Sequence, residues 1–136
     1  MSNEDVLLVL TNLPDRDSAR RVAHALIESR AAACVNMLAE CTSVYRWQGK
    51  IETVSEVPLL IKTTRAAYPR LEAVIRAQHS YELPEIIAVS VNAGLPGYLQ
   101  WVAQETSLTP PSLPNPSQPP LVRGGAESGE EYSNKV

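Results

Sequence analysis

A Gln48-Gly49 pair interrupts the longest extended stretch of this chain, and it constrains the fold more than any other feature. Cys34 to Trp47 before it and Lys50 to Thr64 after it read as two strands joined by a two-residue hairpin turn, because Gly49 tolerates the positive φ such a turn needs. At about 3.3 Å per residue the return strand spans roughly 50 Å. A compact domain of about 105 residues has a radius of gyration near 13 Å, so the hairpin must bend or overhang. Its outer part carries Val44, Tyr45, Trp47, Ile51 and Val54, which are costly to leave in water. Pro58 cannot donate to a ladder and marks a bulge or a change of pairing partner. An apolar ribbon that packs on a neighbouring copy reconciles these facts. Self-association is therefore expected on physical grounds, without a stoichiometry.

The remaining elements frame the ribbon. Residues 6 to 11 form an apolar run suited to a buried strand. Asp15 or Asp17 caps a helix whose Ala19, Val22, Ala23, Leu26 and Ile27 make one stripe, running out near Arg30. A second helix accepts Pro69 in its first turn and turns Leu71, Val74 and Ile75 inward. Ile86 to Val91 reads as a further strand, and a last helix carries Leu99, Val102 and Ala103. The order β-α-β-β-α-β plus a C-terminal helix predicts an α+β ferredoxin-like sandwich, helices on one face of an antiparallel sheet.

Composition bounds the domain and its partners. Residues 107–136 hold six of the eleven prolines and three of the six glycines, with little apolar surface to offset ordering entropy. The folded domain is expected over residues 1–106, followed by a disordered Pro-rich tail; Pro-x-x-Pro spacing within it also fits a partner's groove. A net charge of −3 with interspersed signs gives no footprint for nucleic acid. No apolar run reaches the ~18 residues of a membrane span, and the acidic start does not resemble a secretory signal, so the expected address is the cytoplasm. Cys34 and Cys41, seven apart in one strand, are expected on opposite faces and beyond disulfide reach, as buried thiols in a reducing compartment.

Three segments resemble the CutA divalent-cation tolerance family. They are Ala31-Ala32-Ala33-Cys34-Val35-Asn36, the hairpin tip from Thr42 to Glu52, and His79-Ser80-Tyr81-Glu82-Leu83-Pro84-Glu85-Ile86, similar to a His-Pro-Tyr-Glu-x-Pro-Glu-Ile signature with serine at one proline. Tyr98-Leu99-Gln100-Trp101 is also typical, and the resemblance covers residues 6 to 106. It implies a homotrimer whose long hairpins wrap neighbouring subunits, a role in metal tolerance, and copper or another divalent cation as ligand, with no obligatory cofactor. It also implies an architecture similar to PII-type signalling proteins. Some bacterial members place a second histidine before the signature histidine and a cysteine at the end of the first strand; here those positions hold Gln78 and Thr11.

Imidazole is the best copper donor in the chain, which makes His79 the metal candidate; His24, one turn from Glu28, reads as a solvated surface residue. Glu82 and Glu85 offer oxygen ligands to a harder ion. A competing reading makes the signature segment one wall of a cleft between subunits, where Trp47, Lys62, Tyr81, Glu82 and Glu85 are the candidates to hold a small anionic or zwitterionic ligand, and a structural reading pairs Glu85 with Lys62. No Gly-x-Ser-x-Gly elbow, phosphate loop, Cys-x-x-Cys or His-Glu-x-x-His occurs, so a binding protein is expected, not an enzyme.

Overall fold

The computed structural model describes residues 5–108; the expected tail beyond Leu108 lies outside the described residues. Eight elements follow in order: β1 (Val6–Leu13), α1 (Arg16–Glu28), β2 (Cys34–Met37), β3 (Cys41–Trp47), β4 (Lys50–Thr64), α2 (Tyr68–Gln78), β5 (Ile86–Ser90) and α3 (Pro96–Glu105). The sheet runs β2-β4-β1-β5 with every pair antiparallel, and β3 pairs with the outer half of β4. With β2 and β3 taken as one broken strand, this is the ferredoxin-like arrangement.

Local chemistry sets the helix ends. The Asp15 carboxylate accepts from the Ser18 N–H at 2.7 Å and caps α1; that hydrogen bond holds its pKa below the usual carboxylate range. Ala19, Val22 and Leu26 form the buried stripe of α1. The helix ends at Glu28, just short of the expected Arg30, because Arg30 turns into the left-handed region at φ 59°. Its Nη1 donates to the carbonyls of Gln104 and Glu105, which joins this corner to the end of α3.

Alternation along the strands divides the sheet into two faces. Val9 and Leu13 of β1 and Leu59 and Ile61 of β4 are completely buried in one core with Val22 and Leu26 of α1 and Leu71 and Ile75 of α2. Each such side chain contributes about 1.5–3 kcal/mol by leaving water. The other face carries Leu8 and Leu10 opposite Lys62 and Leu60, and opposite Val89 and Ile87, which are 55% and 51% exposed. α3 meets the Val6–Thr64 end of the sheet, where the Thr64 and Thr106 hydroxyls lie 3.3 Å apart.

Pro58 is where β4 changes partner. On one edge, Leu59 to Lys62 pair with β2, while Lys50 to Glu56 pair with β3. Between them Leu38 N–H donates to the Pro58 carbonyl at 2.9 Å, and residues 38–40 leave the ladder. The single strand expected from Cys34 to Trp47 is therefore two. This break corrects the expectation for the cysteines: Cys34 opposes Lys62 and Cys41 opposes Glu56, six positions apart on β4, so both occupy the same face. Both are free and half-buried rather than buried.

On its other edge β4 pairs with β1 only from Val57 onward. Lys50 to Glu56 thus have β3 as their sole partner among the described residues, and the ribbon overhangs by about 23 Å at 3.3 Å per residue. Val44 and Ile51 on it are 64% and 66% exposed. At the tip both Gln48 (φ 52°) and Gly49 (φ 81°) lie in the left-handed region, which a twist-matched two-residue hairpin requires.

Candidate functional site

The signature segment lies against the root of the ribbon because α2 stops at Gln78. His79 leaves the helix in an extended conformation (φ −85°, ψ 140°), and its ring turns toward β1. Nε2 lies 2.6 Å from the Asn12 carbonyl oxygen, while Nδ1 accepts from the Tyr81 N–H at 3.2 Å. A carbonyl demands a donor, so the ring is the neutral Nε2–H tautomer with both nitrogens engaged. The Tyr81 ring sits 4.6 Å from it.

Tyr81 closes the segment onto the hairpin. Its hydroxyl donates to the Glu56 Oε2 at 2.9 Å, and Glu56 is only 5% exposed. Burial first, and then the hydrogen bond to this carboxylate, push the Tyr81 pKa well above the usual phenol value, so Tyr81 remains a donor. Further along, Glu85 Oε1 accepts from the Asn12 side-chain amide at 3.1 Å.

These contacts frame a cleft of about 940 Å³ between the ribbon and residues 80–87. Of the five pocket candidates, Trp47, Tyr81, Glu82 and Glu85 line it. Lys62 does not. It lies six residues from Glu56 along β4, roughly 20 Å at 3.3 Å per residue, where its Nζ donates to Asn36 Oδ1 and lies 3.8 Å from Cys34 Sγ. Glu85 therefore pairs with Asn12 rather than with Lys62. Sequence reasoning missed Glu56, Tyr45 and Asn12 as cleft residues. Glu56 carried a usable signal: an acid beside Val57, just before the proline where β4 changes partner.

The residues present do not form a cage for a resident metal. His79 is not among the side chains lining the cleft, and each of its nitrogens already has a partner. No group of three or more His, Cys, Asp or Glu side chains converges among the described residues. Thr11, at one of the positions that the resemblance associates with metal, is completely buried with its hydroxyl unpartnered among the described residues.

The family model described as CutA1 divalent ion tolerance protein matches residues 7–105. A divalent-cation tolerance protein CutA from Thermus thermophilus is 43% identical over 99 residues, 73% of this chain and 96% of that protein. Mouse Protein CutA is 46% identical over 93 residues, 68% of this chain and 52% of that protein, so the chain spans about half of this relative. The crystal structure of CutA from Xylella fastidiosa superimposes with a TM-score of 0.74 at 46% identity, covering 76% of this chain and 99% of that one. The compartments named among relatives differ: a protein from Archaeoglobus fulgidus is called periplasmic, and plant relatives from Arabidopsis and rice are called chloroplastic.

Proposed function

This chain belongs to the CutA1 divalent ion tolerance family, and from that premise we propose that it is a homotrimeric binding protein that takes up cations in the cleft at the root of its hairpin. The observation that carries the proposal is the charge of the lining. Glu56, Glu82 and Glu85 border the cleft, and no lysine, arginine or histidine does so among the described residues. Copper or another divalent ion would meet carboxylate oxygens first, and His79 only after the Tyr81 N–H releases Nδ1. Such a site holds an exchangeable ion weakly, in keeping with a part in the response to metal rather than with a resident cofactor. Binding, not catalysis, is the activity proposed, and the compartment proposed is the cytoplasm.

The trimer supplies what one copy lacks. The overhanging ribbon and the Leu10–Ile87 face leave branched and aromatic side chains in water, and closure into a ring covers them without leaving a free sheet edge. The volume of the cleft favours a second reading, a PII-like module for a small ligand with no native metal, because cavities of roughly 300–1,000 Å³ hold small molecules. Calorimetric titration with copper, zinc and a metabolite panel tests both. Copper binding weakened by Glu82→Gln and Glu85→Gln supports the cation site; binding indifferent to both substitutions removes it.

A further inference from the structure

β4 carries two opposite charges on one face, and neither has an ionic partner in its own chain. Val57, Leu59, Ile61 and Thr63 point into the core, so Glu56, Pro58, Leu60 and Lys62 alternate onto the open face of the sheet. Glu56 is 5% exposed and accepts from the Tyr81 hydroxyl. Lys62 is half-buried, flanked in the sheet by Leu8 of β1 and Cys34 of β2, and its Nζ donates to Asn36 Oδ1. The ion pairs among the described residues are Arg20–Asp17, Arg30–Glu105 and Arg65–Asp5, and none involves Glu56 or Lys62. Six positions of β4 separate the two, roughly 20 Å at 3.3 Å per residue, so one chain cannot join them.

The open face is also where a second copy packs if the chain self-associates. A copy that covers Leu60 and Ile87 covers Lys62 as well, two residues from Leu60 along the strand, and a copy that covers Tyr45 and Trp47 seals what remains open around Glu56. Assembly then buries an acid and a base, each alone, and that is strongly unfavourable unless the two meet. The other cations of the ribbon fit the acid less well. Lys50 is exposed at the tip opposite Trp47, and Arg46 falls on the face of the ribbon away from Tyr45, Trp47 and Glu56.

We propose that the Glu56 carboxylate receives Lys62 of the partner subunit, so that each copy gives its acid to one neighbour and its lysine to the other. A head-to-tail contact of this kind closes into a ring. The pair fixes the register in which ribbon meets sheet face, because a slipped contact buries each charge alone. It also leaves Glu82 and Glu85 as the carboxylates of the cleft that face a cation. The proposal rests on the reading of the chain as self-associating, and adds the residue that the second copy supplies to the cleft.

The test is light scattering of the full chain over a dilution series, in urea where dissociation requires it, on wild type, Lys62→Met, Glu56→Gln and the double substitution, with circular dichroism to check folding. Lys62→Met should keep the fold and raise the concentration at half-dissociation at least about tenfold, because it strands a buried carboxylate. The two single losses should not multiply: the double variant should hold together at least about tenfold better than their product. If Glu56→Gln does not fold, Lys62→Arg decides in its place. Assembly kept with arginine and lost with methionine upholds the pair, and equal assembly in both overturns it. Single losses that multiply in the double variant overturn the pair, as does a Lys62→Met chain that assembles as tightly as wild type; in either case the assembly itself stands. A wild-type monomer at micromolar concentration overturns both the pair and the reading it rests on.

Discussion

The Tyr81 hydroxyl donates to the buried Glu56 carboxylate at 2.9 Å, and this bond joins the segment after α2 to the root of the hairpin. It also leaves Glu56 with a donor that stays protonated into alkaline solution. Removing the hydroxyl strands a buried charged acceptor. Tyr81→Phe is therefore expected to lower unfolding free energy by about 1.5–3 kcal/mol, measured by urea denaturation, because hydrogen bonds to charged groups fall in that range.

The same bond gives a pH dependence with a definite sign. Burial and the Glu56 carboxylate hold the folded-state pKa of Tyr81 above the usual phenol value of about 10, so its contribution to stability is fully present below about pH 10 and is lost as pH rises through the folded value. Ultraviolet titration of the phenolate checks this. At about pH 11 the folded protein's phenolate absorbance should be unchanged by Tyr81→Phe, whereas in denaturant the substitution should remove one tyrosine's share. A loss of that share in the folded protein would show that Tyr81 ionises normally.

Metal binding is expected to be weak. His79 has both nitrogens engaged, so copper must displace the Tyr81 N–H to reach Nδ1. Titration should give affinity weaker than about micromolar, reduced by His79→Ala and little changed by His24→Ala. Submicromolar affinity that survives His79→Ala would contradict this account and direct attention to Cys34 and Cys41.

Thr11 offers a stabilising substitution. Its hydroxyl is buried among the core-facing residues of β1 with no partner among the described residues. Thr11→Val keeps the shape and removes the stranded group, and should raise unfolding free energy by about 1 kcal/mol in urea melts. A loss of similar size would mean that the hydroxyl is satisfied.

Much of this was legible in the sequence, and the misses share a cause. Strand and helix order, the Gln48-Gly49 turn and the part played by Pro58 follow from local chemistry, because glycine and proline act on their own backbone. The break at residues 38–40 does not, since it is imposed by the opposite strand, where β4 exchanges β2 for β3. Missing it inverted the relative facing of Cys34 and Cys41 through a single parity error. Within one chain Lys62 lies on the far half of β4 beside Asn36, apart from Trp47, Tyr81, Glu82 and Glu85, so no single copy gathers all five pocket candidates. Glu56 and Asn12 entered the site only through partners 25 and 73 positions away in sequence, pairings that no local pattern encodes.

Trp47 tests how the hairpin is used. Within one chain it is 36% exposed, and its neighbours Val44 and Ile51 are more so. If neighbouring copies cover the ribbon, Trp47→Ala should cost about 3–5 kcal/mol per buried site, read as dissociation or a large fall in melting temperature. A change below about 1 kcal/mol would mean that the indole stays in water.

The most direct test of the whole account is multi-angle light scattering of the full chain at micromolar concentration. The overhanging ribbon, whose outer edges have no strand partner among the described residues, calls for self-association; the trimer proposed here would appear as one species with the mass of three chains, and melting would rise with protein concentration where unfolding is reversible. A stable monomer would contradict it. The ribbon's exposed Val44 and Ile51 would then be tolerated in water, and hairpin-driven assembly would have no support.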